Sequence, residues 1–167
     1  EVKGKKIVLL GAGGAATAIA AQTSLDGAVK LSMFNIKDEF YEKGEAIIER
    51  LHEAVPECES SITDLADAEA LRAAVADCDI LVNATKVGMK PLDDQTLIDP
   101  SMFRSDLVVA DTVYNPKETL MIKQAAEAGC AAAVGGIGML LWQGAAAFKL
   151  FTGEEMPTQE VLENFFS

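Results

Sequence analysis

The chain has 167 residues with 14 Lys and Arg against 26 Asp and Glu, a net charge of −12. That length fits one domain, and an apolar share of 50% with a mean hydropathy of +0.18 supplies enough core to exclude disorder as a description of the whole chain. An acidic chain without a Lys/Arg cluster lacks the field that phosphate backbones and anionic membrane surfaces require, so neither nucleic acid nor membrane is an expected partner. Three widely spaced cysteines, Cys58, Cys78 and Cys130, form neither a disulfide framework nor a metal knuckle, and a reducing, cytoplasmic setting fits them. No metal site is expected.

Short Val/Ile/Leu-rich runs alternate with helical patterns along the whole chain, which predicts βαβ units around a parallel sheet. Residues 1–5 are polar and read as a linker remnant. Lys6–Leu10 is the first strand, and an Ala-rich helix runs from about Gly14 to Leu25 with Gly27 as its stop. Leu31–Asn35 is the second strand. Helix two covers Asp38 to about Val55, with Phe40, Ile47, Ile48 and Leu51 at helical spacing and Pro56 beyond. Strand three is Glu59–Thr63, and a short helix over Asp67–Ala76 puts Leu71 and Val75 on one face. Strand four is Ile80–Asn83. The stretch from Ala84 to Ser105 holds Gly88, Pro91 and Pro100 without a sustained period and reads as loop with at most a helical turn. Strand five is Leu107–Thr112, followed by a helix over Glu118–Ala128, strand six at Ala131–Val134 and a long apolar helix over Ile137–Phe151. A last helix occupies Thr158–Phe166. Six strands and no internal repeat or dividing linker predict a single doubly wound α/β domain of Rossmann type over 1–167, its sheet mainly parallel with helices on both faces.

Between strand one and helix one stands Gly11-Ala12-Gly13-Gly14-Ala15-Ala16, a match to the G-x-G-x-x-A pattern in the context that gives the pattern meaning. Gly11 permits a tight turn, Gly13 lets the backbone approach a pyrophosphate, and Ala16 allows close helix–strand packing. The helix N-terminus then offers free N–H groups and a positive dipole end to that pyrophosphate. At the end of strand two, Asn35-Ile36-Lys37-Asp38 places a carboxylate 22 residues beyond Ala16, where it accepts from ribose hydroxyls and repels a 2′-phosphate. Lys37 pulls the other way with one flexible ammonium, so the pattern predicts NAD as the preferred cofactor with NADP tolerated. An alternative role for Asp38 is to cap helix two, and one residue can do both.

With the glycine loop, the segments Asn83-Ala-Thr-Lys86-Val-Gly88-Met89-Lys-Pro91, Asp111-Thr-Val-Tyr114-Asn115-Pro116 and Gly136-Ile-Gly138-Met139-Leu-Leu-Trp-Gln143-Gly144-Ala145 closely resemble the shikimate dehydrogenase family, and within it the quinate/shikimate branch. The resemblance covers nearly the whole chain but only the C-terminal, cofactor-binding half of that family. It implies hydride transfer between a ring hydroxyl of shikimate or quinate and NAD(P), in a cleft shared with an N-terminal substrate domain. It further implies that Ala12 to Ala15 wrap the pyrophosphate, that Asn35 to Asp38 hold the adenosine ribose, and that Lys86 and Thr112, Val113, Tyr114 and Asn115 line the cofactor cleft. Gly136 would set its backbone at the nicotinamide, and Gln143 and Tyr114 would reach the small hydroxy-acid substrate.

Two departures from the family pattern bear on function. Ile36 stands where an arginine is common, which weakens the case for NADP. The lysine and aspartate that act as the family's catalytic pair belong to the N-terminal domain, which is absent from this sequence, so the resemblance assigns no catalytic residue here. His52 reads as a surface residue of helix two, Asp111 as a structural residue at a strand end, and Met89 and Met139 as core by default, though the resemblance places their segments beside the nicotinamide. The expected behaviour is cofactor binding without turnover by this chain alone. Another reading of the same residues is a free-standing NAD(H)-sensing module, and a third is a different dehydrogenase of the methylenetetrahydrofolate or glutamyl-tRNA reductase type, which Trp142-Gln143-Gly144-Ala145 fits less well. The apolar stripe in Val161–Phe166 predicts packing on a further domain, or homodimer formation if left exposed.

Overall fold

The computed structural model describes residues 1–166. Six strands, β1 (Lys6–Leu10), β2 (Lys30–Asn35), β3 (Glu59–Asp64), β4 (Ile80–Asn83), β5 (Val108–Asp111) and β6 (Ala132–Val134), form one sheet in the order β3-β2-β1-β4-β5-β6. Every pairing is parallel. The helices are α1 (Gly14–Leu25), α2 (Glu39–Ala54), α3 (Ala68–Asp77), α4 (Leu120–Glu127), α5 (Ile137–Thr152) and α6 (Thr158–Phe165). The expected elements recur with ends shifted by a residue or two, and at α2, α3 and α4 a side-chain cap sets the start. Asp38, Asp67 and Thr119 lie outside their helices and accept hydrogen bonds from Phe40, Ala70 and Ile122 backbone N–H groups. The long connection after β4 contains one 3₁₀ turn, Pro100–Met102.

Alternation along the central strand explains the layering. Ile7 and Leu9 point to one face and join Ala16, Ala20, Ile48 and Leu51 of α1 and α2. Val8 and Leu10 point to the other and join Leu71, Val75, Met121 and Ile122 of α3 and α4. Residues 1–5 are tied to this body: the Gly4 N–H donates to Gly27 O at 2.8 Å and Val2 packs against the first cluster. At the opposite extreme, α5 buries only Leu141 and α6 buries nothing. Parallel strands send all their C-terminal ends to one edge, and the order reverses between β1 and β4, so the crevice expected for a ligand opens beyond Leu10 and Asn83.

No helix among the described residues is long and apolar enough to cross a membrane.

Candidate functional site

Two grooves occupy that edge and share Thr85. The first, of about 360 Å³, is lined by Gly11, Ala12 and Gly13 after β1, by Asn35, Ile36, Asp38 and Phe40 after β2, by Leu65 after β3, and by residues 84–87 and Leu97 after β4. The second, of about 350 Å³, is lined by Thr85, Met89, Lys90 and residues 112–115. Together they bring Gly11, Ala12, Gly13, Asn35, Asp38, Lys86, Thr112, Val113, Tyr114 and Asn115 onto one side of the sheet.

The glycines of the first groove differ in what requires them. Gly11 has φ +104°, and a Cβ there would lie 2.8 Å from Ala84 O, so the fold itself demands glycine. Gly13 and Gly14 have negative φ, and a Cβ at either would meet nothing within 4 Å. Neither conformation nor internal packing needs glycine at these two positions, although glycine in a helical turn costs about 1 kcal/mol relative to alanine. Their bareness faces outward, over the start of α1, whose cap residue Gly13 makes no side-chain hydrogen bond. The first N–H groups of α1 are therefore available to an external acceptor.

The β2 end is held by a short network. Asn35 Nδ2 donates to Asp38 Oδ1 at 2.9 Å and to Ile36 O at 2.7 Å, while the Phe40 N–H donates to the same Asp38 oxygen at 3.0 Å. Asp38 is thus a helix cap, and it lines the groove as well. Ile36, Phe40, Leu65 and Leu97 make the walls apolar enough to take a planar ring.

A second network lies beneath the shared rim. Asp111, at the end of β5 and 4% exposed, accepts from Asn83 Nδ2 at 2.9 Å, the Val113 N–H at 2.9 Å and Thr119 Oγ1 at 2.7 Å. Burial pushes its pKa above the ordinary carboxylate value, against the pull of those three donors. Asn83 also donates to Val87 O and accepts from the Thr85 N–H and hydroxyl.

Other expected site residues sit apart from the grooves. Gly14 and Ala15 are exposed in the first turn of α1. Lys37 is exposed, with its ammonium 5.9 Å from the Tyr41 ring, so it does not line the first groove. Gln143 is exposed on α5 and lines neither groove. Gly136 is buried, and a Cβ there would lie 2.4 Å from Thr112 O, so its need for glycine is internal to the fold. Met89 and Met139 are 45% and 40% exposed, which corrects their default reading as core: Met89 lines the second groove and Met139 stands in the first turn of α5. His52 is exposed as expected, its Nε2 2.8 Å from Ser60 O. Cys58 and Cys78 are buried and Cys130 half-buried, all as free thiols, and burial pushes Cys78 up to about 11, which keeps it protonated and inert.

Sequence reasoning missed Phe40, Leu65, Thr85 and Leu97 as lining residues. Phe40 carried a misleading signal, since its helical spacing with Ile47, Ile48 and Leu51 suggested the core face, yet it belongs to the first turn of α2, which overhangs the groove. Leu65 and Leu97 lie in connections and carry no periodic signal.

The model of the shikimate 5′-dehydrogenase C-terminal domain matches residues 136–163. The chain is 48% identical over 168 residues to the shikimate dehydrogenase (NADP(+)) of Streptococcus uberis, covering 100% of this chain and 57% of that protein. It is 48% identical over 162 residues to the quinate/shikimate dehydrogenase of Escherichia coli, covering 96% of this chain and 56% of the relative. The crystal structure of shikimate 5-dehydrogenase from Listeria monocytogenes, in complex with shikimate and NAD, superposes with a TM-score of 0.92 at 43% identity, over 98% of this chain and 56% of that one. The chain spans little more than half the length of these relatives. Motifs, strand order and relatives agree: over its whole length the chain is similar to the C-terminal part of shikimate dehydrogenases.

Proposed function

We propose that the chain is the NAD(P)-binding domain of a quinate/shikimate dehydrogenase, an oxidoreductase whose complete polypeptide moves a hydride between a ring hydroxyl of quinate or shikimate and the nicotinamide. The observation that carries the proposal is the pair Gly13 and Gly14, bare where neither backbone angle nor internal packing calls for glycine, at an uncapped helix start. A pyrophosphate explains both features. Ala12 to Ala15 hold it, Asn35 and Asp38 meet the adenosine ribose, and the apolar walls take the adenine. Lys86 and residues 112–115 line the cofactor cleft, with the Gly136 backbone at the nicotinamide. Tyr114 and Gln143 face the hydroxy acid once it is bound. The bound cofactor supplies the hydride acceptor, and this chain's residues orient it.

NAD is the preferred cofactor in this reading and NADP is tolerated. Both hydrogen bonds to Asp38 fall on Oδ1, which leaves Oδ2 for a ribose hydroxyl, and Ile36 offers a 2′-phosphate no charge. The catalytic pair and most substrate contacts come from a further domain of the same polypeptide, in line with the share of its relatives that the chain spans. The chain by itself therefore binds without turnover, in a cytoplasmic setting. Self-association through the exposed part of Val161–Phe166 is the matching expectation for the isolated chain, and light scattering at high concentration tests it.

Calorimetric titration with NAD and NADP in one buffer tests the whole reading. Tighter binding of NAD, weakened in Asp38→Ala by about tenfold or more, is the expected outcome, since a hydrogen bond to a charged group is worth about 1.5–3 kcal/mol. Absence of binding to either nucleotide, with the fold intact, rejects it.

A further inference from the structure

The two grooves are formed largely by different loops, yet the hydrogen bonds of one buried carboxylate lead to both. On one side of Asp111 stands Asn83, whose remaining bonds hold Val87 O, the Thr85 N–H and the Thr85 hydroxyl, and so shape the connection that closes the first groove. On the other side, the Val113 N–H and Thr119 Oγ1 bind the carboxylate from the two ends of the segment that carries Tyr114 and Asn115 into the second groove. Thr85 lies where the grooves meet and is two hydrogen bonds from the carboxylate.

The arrangement exceeds what the fold needs at a strand end. β5 is already paired on both edges, through Asn83 opposite Asp111 on β4 and through β6. A carboxylate is an expensive group to bury, and three neutral donors around it mark a site where geometry is held tightly.

We propose that Asp111 is the positioning residue that couples the grooves, setting the 112–115 segment against Thr85 so that a ligand lying across the rim is gripped at both ends. The proposal rests on the dinucleotide reading above and adds that the hold on the nicotinamide half, not on the adenosine half, depends on Asp111. Most walls of the first groove come from the ends of β1 and β2 and from Leu65 and Leu97, none of which is hydrogen-bonded to Asp111.

The test compares two probes in the same chain: ADP-ribose, which reaches only the adenosine and pyrophosphate subsites and the adjoining ribose, and NADH, which adds the nicotinamide. In wild type, NADH binds more tightly. Asp111→Ala is expected to hold ADP-ribose within about twofold and to bind NADH about tenfold more weakly, the scale of one hydrogen bond to a charged group. Asp111→Asn should recover most of that loss, because the amide keeps an acceptor for Asn83 and Val113 and can donate to Thr119. Thr85→Val, which cuts the far end of the relay and leaves the carboxylate in place, should lower the NADH to ADP-ribose affinity ratio about threefold. An NADH to ADP-ribose ratio unchanged in Asp111→Ala, equal losses for both probes with circular dichroism unchanged, or no recovery in Asp111→Asn overturns the proposal. If Asp111→Ala does not fold, Thr85→Val decides by the same ratio. A wild-type chain that holds both probes equally overturns it too, whereas one that binds neither rejects the dinucleotide reading itself.

Discussion

Leu9 and Leu150 are the same side chain in opposite circumstances: the first is fully buried in β1, and the second is 86% exposed in α5. The contrast extends to the regions around them. β1 to β5 with α1 to α4 enclose two continuous apolar clusters, one on each face of the sheet. Helix α5, apolar nearly all round, buries Leu141 and leaves Trp142, Leu150 and Phe151 exposed at 64%, 86% and 88%. Apolar content therefore says that a helix wants burial, and position relative to the sheet says whether this chain provides it. The folding free energy of the chain is collected by the sheet and its first four helices.

Substitution in the two regions should separate them sharply. Leu9→Ala is expected to cost about 2–5 kcal/mol in urea unfolding, as lost transfer energy plus an unfilled cavity. A cost under about 1 kcal/mol would place the stability elsewhere. Gly136→Ala probes the seam between the regions, since the new methyl would lie 2.4 Å from Thr112 O. It should cost about 1–3 kcal/mol and weaken NADH more than ADP-ribose, by forcing the start of α5 away from the end of β5. Unchanged melting in that variant would mean that α5 moves freely on the sheet.

Acid provides a finer probe of the first region. Asp79 accepts from the Lys6 N–H at 2.8 Å and from Lys5 Nζ at 3.3 Å, and the bond to the Lys6 N–H chiefly holds its pKa below 3.8. A depressed carboxylate contributes stability that is present above its unfolded pKa and lost as the pH falls through the folded value. Asp79→Asn should therefore be less stable than wild type at neutral pH and converge with it at the acid end, whereas parallel curves would remove this carboxylate from the acid limb. Asp111 has the opposite sign, since its raised pKa makes stability fall as the pH rises through the window above 3.8. The smallest effect is expected for Leu150→Ser, within about 0.5 kcal/mol, with less self-association in light scattering. A large loss there would show that α5 is packed in solution.

Much of the site was legible from sequence because it is built from local patterns. The glycine loop after a β-branched run, the acid at the end of the next strand and the four ordered motifs named the edge of the sheet where the grooves lie. The rest was not legible for physical reasons. The apolar spacing of α2 assigned Phe40 to the core face, and only the overhang of that helix's first turn puts the ring in a groove. Lys37 sits next to Asp38 in sequence yet turns toward Tyr41, because neighbouring residues at a helix start diverge around the axis. The tie between Asn83 and Asp111 joins residues 28 apart, which no local pattern encodes.

Taken alone, the sequence determined the order and type of the elements, the parallel sheet and the place of the glycine loop, since strand alternation, helical period, caps and glycine angles are all properties of adjacent residues. Tertiary structure alone decided which apolar residues are buried, which line a groove and which charge is enclosed. Those outcomes depend on strands β1, β4 and β5 lying side by side: their C-terminal ends bring distant loops onto one carboxylate and leave α5 beyond the reach of the core.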